Sequence, residues 1–184
     1  MAFAVHQTTW CTPGFVGFFC LQQPVNGGLG KVVDLAAAHR FMAAQHPELL
    51  DRLYQPFCWD RQAEHGEDSI PVSRHPVFEQ HDGSLVTRYC ENHIAVGHEL
   101  AGQPIEALGR AALATLKQVL NEQCTSVHLR LRPGQFQYVN NHRLAHARAP
   151  FERDGRAAST RPVLRIWNRF EGDGTLEGDV TLMS

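Results

Sequence analysis

The alternation of apolar and polar residues along the chain predicts strands towards both ends and helices between them. Residues 14–21 form a continuous apolar run, which is typical of a buried strand. Asp34 precedes an alanine-rich stretch that extends to about Gln45, so we expect Asp34 to cap a helix there. Pro47 is a suitable first residue for a second, short helix.

The remainder of the chain shows one stronger helix pattern and several strand patterns. Apolar residues recur at helical spacing from Ile105 to Leu120, and Pro104 is predicted to open this helix. Strand patterns cover residues 84–90, 127–131, 136–139 and 163–170. The tail from Glu171 holds three glycines and several acidic residues, and is predicted to fray. This combination predicts an α+β fold with a sandwich or barrel as its core.

The length and charge of the chain limit the classes of protein to which it can belong. The 184 residues predict a single domain spanning 1–184. The 17 Lys and Arg against 19 Asp and Glu leave no basic excess, so no nucleic-acid partner is expected. No apolar run approaches the ~20 residues of a membrane span, and no secretory signal is expected. The five cysteines contain no C-x-x-C pair, which favours a reducing, cytoplasmic location over a disulfide framework.

Histidine is the unusual residue type, with 11 copies. The densest polar cluster spans residues 140–148 and carries His142 and His146 four residues apart. The segment follows a predicted strand and begins with two asparagines, so an extended conformation is favoured, in which both histidines share one side. The residues alone leave two interpretations open: a polar edge strand with surface histidines, or part of a functional site.

The C-terminal third carries an ordered set of motifs. These are the Pro133-Gly134 turn, a strand ending at Asn140 and Asn141, His146-Ala-Arg-Ala-Pro-Phe151, and Arg161-Pro-Val-Leu-Arg165 before Trp167. The set resembles the signature of the taurine dioxygenase (TauD/TfdA) and clavaminate synthase-like family of Fe(II)- and 2-oxoglutarate-dependent oxygenases. Earlier pieces are similar too, and the resemblance covers most of the chain: residues 18–21, 27–28, 33–34, 46–57, 76–78 and 82–89.

The resemblance implies a double-stranded β-helix, or jelly-roll, core with flanking helices. It also implies an Fe(II) site in which His146 is the distal ligand, with 2-oxoglutarate as cosubstrate. Arg161 matches the arginine that pairs with the distal carboxylate of 2-oxoglutarate, and Arg165 matches a second arginine near the metal-side end of the cosubstrate or the substrate. A buried dianion favours arginine, which is always charged and binds carboxylates through two hydrogen bonds.

The proximal metal motif of the family, His-x-Asp/Glu, is matched only in part. His6 is present, but Thr8 stands where the carboxylate is expected. Three interpretations follow: a halogenase-like site in which halide replaces the carboxylate, a degenerate site, or a carboxylate supplied from elsewhere. His81-Asp82 and His98-Glu99 have suitable chemistry but fall outside the metal site in the family order, and are expected to be surface residues.

Two further departures concern the cosubstrate and the sheet. No hydroxyl residue follows Gly27-Gly28, where the family often has one to help bind 2-oxoglutarate. The chain is also short on the N-terminal side of His6, which implies an open sheet edge that a homo-oligomer would cover. We therefore expect an oxygenase or halogenase-like enzyme acting on a small amine- or carboxylate-bearing molecule. The alternatives are a non-catalytic jelly-roll protein and, with no standard ligand spacing, a histidine-rich zinc module.

Overall fold

The computed structural model describes residues 14–23, 27–61, 71–149, 163–170 and 176–183. Eleven strands occur in these ranges: β1 (Phe15–Cys20), β2 (Gly30–Asp34), β3 (Phe57–Asp60), β4 (Val72–His75), β5 (Phe78–His81), β6 (Ser84–Thr87), β7 (Ser126–Leu129), β8 (Phe136–Asn140), β9 (Leu144–Arg148), β10 (Val163–Phe170) and β11 (Leu176–Met183). The helices are α1 (Leu35–Gln45), α2 (Pro47–Leu53), α3 (Glu91–Leu100) and α4 (Ala107–Gln118), and a π-helical turn, Val119–Gln123, continues α4. None of the helices in these ranges combines the length and apolar character needed to cross a bilayer.

Two antiparallel sheets form the centre of the fold. The larger has the strand order β11-β10-β1-β8, and the smaller has the order β7-β2-β9. Apart from the consecutive pair β10-β11, neighbouring strands in each sheet are not consecutive in sequence, as in a jelly roll. Two short hairpins, β3-β4 and β5-β6, lie outside these sheets.

The two central sheets pack face to face. Val16 and Val139 are buried between them, with Phe18 and Leu144 packed against this pair. Because side chains alternate along a strand, Phe18 shares the inner face of its sheet with Val16 and Cys20. The inner face is therefore apolar at one end, near Val16 and Val139.

The other face of the smaller sheet packs on the helices. Val33, Ala145 and Ala147 belong to the main hydrophobic cluster, together with residues of all four helices. Its largest fully buried apolar and aromatic side chains are Tyr89, Phe57, Phe78, Leu35, Met42, Leu53, Ile94, Leu116 and Leu120. The main core thus lies between the smaller sheet and the helices, and it supports β2 and β9 from behind.

Most local predictions are confirmed, including the α+β class. Helices α1 and α2 and strand β10 form where expected, and the Asp34 carboxylate accepts a hydrogen bond from the Ala36 N–H at 2.9 Å. The predicted helix at Pro104 begins later, at Ala107, after an extended Glu106. Cys20 and Cys90 are buried, and burial raises the pKa of the Cys90 thiol to about 11.

The predicted fraying of the tail is wrong. Residues Leu176–Met183 form β11 and pair along their whole length with β10. The glycines and acidic residues suggested disorder, but Leu176, Gly178, Val180 and Leu182 alternate with more polar residues in the period of a strand. The segment forms a strand because the edge of β10 supplies partners for its backbone hydrogen bonds.

An ion pair joins α2 to the segment that precedes α4. Arg52 is 7% exposed, its Nε lies 2.5 Å from Oε1 of Glu106, and its guanidinium carbon is 3.9 Å from the centroid of the Phe57 ring. The hydrogen bond from Arg52 is the main cause that lowers the pKa of Glu106 to about 2. The carboxylate side chain is 53% exposed, so solvent screens much of this attraction.

We expect the Arg52–Glu106 pair to make stability depend on acid pH. Because the folded pKa of Glu106 lies below its ordinary value of 4.5, the stabilisation is complete above about pH 4.5 and is lost as the pH falls towards 2. After screening, the pair contributes about 1 kcal/mol or less. Urea unfolding at pH 6 and pH 3 should therefore show a smaller loss of stability in Glu106→Gln than in the unmodified chain. Glu48→Gln, which changes an exposed carboxylate of α2, is the control. An equal loss in Glu106→Gln and the unmodified chain would contradict this prediction.

Candidate active site

Phe18 occupies the middle of the inner face of the larger sheet. It pairs with Arg165 of β10 on one side and with Gln137 of β8 on the other. Directly opposite residues in antiparallel strands point to the same face, so these three side chains form one row. Phe18 is the reference point around which the predicted site residues can be located.

His146 approaches this row from the facing sheet. It lies in β9, opposite Val32 of β2, and its imidazole meets the Phe18 ring edge-on with ring centroids 5.2 Å apart. The side chain is half-buried and its Nδ1 has no contact with solvent. The helix-facing side chains of β9, Ala145 and Ala147, are buried and hold the strand against the main core. The second half of the polar cluster at residues 140–148 is thus the strand β9, and its histidine, His146, points between the two sheets.

Arg165 brings a positive charge to the same interior. It lies in β10 next to Phe18, and its Nε is buried. A guanidinium held at this place can bind a carboxylate through two parallel hydrogen bonds. Two of the predicted site residues are therefore close to Phe18: the His146 imidazole contacts its ring, and Arg165 is its neighbour on the adjacent strand of the other sheet.

The remaining predicted site residues, His6, Thr8 and Arg161, lie outside the described residues. Gly27 and Gly28, which precede β2, have φ values of 78° and 69°. Residues other than glycine adopt this left-handed region at a steric cost, so the backbone conformation accounts for the glycine pair.

One interpretation of Thr8 is a carboxylate supplied from elsewhere in the chain. Within these ranges no three His, Cys, Asp or Glu side chains form a group that could hold a metal ion. Asp34 shares the inner face of β2 with Val32, but its Oδ1 caps α1 and its Oδ2 lies 3.7 Å from Arg143 Nη2. Its oxygens are thus already engaged in holding the start of α1.

The two histidine–acid pairs set aside from the sequence have different environments. His81 and Asp82 have side chains 73% and 92% exposed, which confirms the expected surface position. His98 is half-buried rather than at the surface, because its ring joins β3 to the end of α3. Its Nε2 accepts a hydrogen bond from the Cys58 N–H at 3.1 Å, and its Nδ1 donates to the Gln103 carbonyl at 2.6 Å. Both ring nitrogens are therefore used structurally.

Sequence reasoning missed the two neighbours of the site on the larger sheet, Phe18 and Gln137. The sequence places Phe18 in a buried strand and in the family resemblance, and it gives neither Phe18 nor Gln137 a role in the site. Gln137 alternates in β8 with Phe136 and Tyr138, which are 38% and 59% exposed, while the next residue on its own side, Val139, is buried. The signal available in the sequence was a polar residue at an inward position of a strand.

Comparison with known proteins shows the family to which the chain belongs. A family model described as "Taurine catabolism dioxygenase TauD, TfdA family" matches residues 6–167. FR-33289 synthase from Streptomyces rubellomurinus is 28% identical over 162 residues, which are 86% of this chain and 48% of that protein. Uridine-5'-phosphate dioxygenase from an Amycolatopsis species is 28% identical over 135 residues, 73% of this chain and 48% of that protein. The chain thus spans about half the length of the curated relatives it matches.

Solved structures share the fold at lower sequence identity. Asparagine oxygenase in complex with Fe(II), (2S,3S)-3-hydroxyasparagine and succinate superposes with a TM-score of 0.61 at 21% identity, covering 89% of this chain and 46% of that chain. A taurine dioxygenase from Burkholderia xenovorans superposes with a TM-score of 0.60 at 16% identity, covering 100% of this chain and 62% of that chain. These likenesses confirm the predicted double-stranded β-helix.

Proposed function

Because the chain belongs to the taurine catabolism dioxygenase (TauD/TfdA) family, we propose that it is an Fe(II)- and 2-oxoglutarate-dependent oxygenase acting on a small amine- or carboxylate-bearing molecule. One observation carries the proposal: His146 and Arg165 come from facing sheets to the same residue, Phe18, which the imidazole contacts and which Arg165 adjoins on the next strand. An imidazole is a suitable ligand for an iron ion, and a guanidinium binds the carboxylate of an organic acid. Two related structures are complexes, one of asparagine oxygenase with Fe(II), 3-hydroxyasparagine and succinate, the other of the non-heme iron oxygenase OrfP with Fe and α-ketoglutaric acid.

Each residue has a definite role in this proposal. His146 is the distal iron ligand and His6 the proximal one, while Arg161 binds the distal carboxylate of 2-oxoglutarate. Arg165 binds a carboxylate near the metal-side end of 2-oxoglutarate or of the substrate. The apolar surface around Val16 and Val139 limits the access of water to the interior. Bound Fe(II) with 2-oxoglutarate supplies the capacity to activate O₂ that protein side chains lack.

The test is an anaerobic titration of the chain with Fe(II) and 2-oxoglutarate. Chelation of the metal by 2-oxoglutarate is expected to give a metal-to-ligand charge-transfer band, and admission of O₂ should then yield succinate. His128→Gln is the matched control, because His128 is exposed on β7, which β2 separates from β9, and its ring bonds to Ser126 Oγ at 3.1 Å. Neither band nor succinate from the unmodified chain would refute the proposal.

A second candidate is a non-catalytic jelly-roll protein that has lost its metal. It is favoured by Thr8, a neutral residue where the family has a carboxylate. Metal analysis separates the two candidates, since tight stoichiometric iron excludes the non-catalytic one. If the unmodified chain binds no iron and Thr8→Asp binds it, the non-catalytic candidate is supported.

A further inference from the structure

Thr87 is a buried hydroxyl residue at the end of strand β6, where an apolar side chain would be expected. It shares one face of the β5–β6 hairpin with Leu85 and lies directly opposite Phe78, and both of these neighbours pack in the main hydrophobic cluster. Thr87 itself is 1% exposed. Its Oγ1 donates a hydrogen bond to the backbone carbonyl of His142 at 2.7 Å. A buried hydroxyl is costly unless it is hydrogen-bonded, so this bond accounts for threonine in place of valine.

The hydrogen bond from Thr87 connects the β5–β6 hairpin to the turn that precedes strand β9. Within the described residues this hairpin pairs with neither central sheet, and it packs with the helices in the main hydrophobic cluster. His142 is the middle residue of the turn 141–143, which leads from β8 of the larger sheet to β9 of the smaller one. The side chain of Thr87 therefore holds the chain where it passes from one sheet to the other.

The turn 141–143 also has backbone hydrogen bonds to the starts of two other elements. The Asn141 N–H donates to the carbonyl of Gly14, which precedes β1, at 3.0 Å. The N–H of Leu35, the first residue of α1, donates to the Arg143 carbonyl at 2.9 Å. The hydrogen bond from the β6 hydroxyl differs from these two because it comes from a side chain. A single substitution can therefore remove it while the backbone bonds of the turn stay in place.

Strand β9, which begins directly after this turn, carries His146. Among the described strands β9 lies at the edge of the smaller sheet and pairs with β2 alone. This pairing places His146 opposite Val32 and so fixes its register. Register does not fix how closely an edge strand approaches the facing sheet, where the His146 imidazole meets the Phe18 ring at a centroid distance of 5.2 Å. That approach depends on how the ends of β9 are held, and its first end follows the turn that Thr87 holds.

We propose that Thr87 is a positioning residue of the iron site, and that its hydrogen bond to the His142 carbonyl sets the place of the His146 imidazole between the sheets. The proposal rests on the oxygenase function above, in which His146 is an iron ligand, and it adds to that site a residue from outside both sheets. Removal of groups that orient metal ligands lowers metal affinity about 10- to 100-fold. Thr87 acts through the backbone between His142 and His146, so an effect at the lower end of this range is expected.

The first measurement detects the position of His146 without metal. In the chain labelled with ¹³C-histidine, the Hε1 signal of His146 is identified by its absence from His146→Gln, and the ring current of Phe18 shifts it. We expect this signal to move in Thr87→Val, which removes the hydroxyl, and to keep its place in Thr87→Ser, which retains it. Thr115→Val makes the same change at a half-buried threonine of α4 and is the matched control. A signal that stays in place in Thr87→Val, or that moves equally in Thr115→Val, would overturn the proposal.

The second measurement is the affinity for Fe(II), followed by the charge-transfer band with 2-oxoglutarate and without O₂. Thr87→Val should bind Fe(II) about tenfold more weakly than the unmodified chain, whereas Thr87→Ser should bind it equally well. Gly97→Ala controls for a general loss of stability, because a Cβ there would lie 2.5 Å from the carbonyl carbon of Trp59, in a different part of the fold. We expect Gly97→Ala to lower the melting temperature more than Thr87→Val does and to leave the Fe(II) affinity unchanged. Equal weakening of Fe(II) binding in these two variants would overturn the proposal.

The outcomes also separate this proposal from the one on which it rests. No charge-transfer band in the unmodified chain overturns the oxygenase function and this proposal with it. If the band forms in the unmodified chain, and Thr87→Val leaves either the Fe(II) affinity or the His146 signal unchanged, the role of Thr87 alone is overturned and the oxygenase function stands.

Discussion

Replacing His146 by glutamine is expected to abolish the charge-transfer band while leaving the fold in place. The imidazole is the one predicted iron ligand within the described residues, and it lies between the two sheets against Phe18. Loss of groups that merely orient metal ligands costs 10- to 100-fold in affinity, so loss of a ligand should weaken Fe(II) binding by about 100-fold or more. Anaerobic titration with Fe(II) in the presence of 2-oxoglutarate measures this.

The fold should tolerate the change because the side chain is only half-buried. Loss of the edge-on contact with the Phe18 ring should cost about 0.5–1.5 kcal/mol of the free energy of unfolding. His128→Gln should bind Fe(II) as the unmodified chain does. Retention of tight iron by His146→Gln would show that the metal, if one is bound, is held elsewhere.

The second large effect concerns stability, at Gly97 in α3. A Cβ added there would lie 2.5 Å from the carbonyl carbon of Trp59 and 2.6 Å from both the Asp60 nitrogen and the Cys58 oxygen. These are backbone atoms of β3, which is paired with β4 and cannot move aside. Helix α3 would have to shift, which also strains the hydrogen bond from the Cys58 N–H to His98.

We expect Gly97→Ala to lower the free energy of unfolding by about 2 kcal/mol. Overpacking costs about 1–3 kcal/mol and a lost hydrogen bond about 1 kcal/mol, while alanine regains about 1 kcal/mol of helix propensity. For a chain of this length the melting temperature should fall by about 4–8 °C. Chemical and thermal unfolding followed by circular dichroism measure the two quantities.

Gly17→Ala is the matched control for this effect. A Cβ on Gly17 of β1 would also meet an atom closer than ordinary van der Waals contact, but that atom is the outer edge of the Phe136 ring. The Phe136 side chain is 38% exposed and can turn away. The expected change is within about 0.5 kcal/mol. Equal losses of stability in Gly97→Ala and Gly17→Ala would contradict this prediction. They would show that a clash with backbone atoms costs no more than a clash with a side chain that can move.

The helices α1 and α2 and the strand β10 were predictable because their signals are local. Asp34 caps α1 through its own carboxylate, and Pro47 begins α2, so each boundary depends on one residue and its immediate neighbours. Helix α3 escaped prediction for the opposite reason. Its buried face includes His93 and Gly97, which are not apolar signals, and the need for glycine arises only from the backbone of β3.

Strand β2 was also missed, because both of its faces are covered. Lys31 and Val33 are buried towards the helices, while Val32 faces the interior of the sandwich opposite His146. A short strand covered on two sides shows no alternation of apolar and polar residues. The sequence therefore does not distinguish β2 from the turn that precedes it. Strand β11 was missed because its partner, β10, supplies the backbone hydrogen bonds that define it.

By itself, the sequence determined the class of the fold, the helix caps, the family resemblance and the assignment of His146, Arg165, His6 and Arg161 as candidate site residues. Only the tertiary structure decided that His146 contacts Phe18 from the facing sheet and that Arg165 adjoins Phe18 on the neighbouring strand. The physical reason is that strands distant in sequence pair and face one another across the sandwich. Caps and periodicity act over a few residues, whereas a site between two sheets depends on register and on which face each side chain occupies.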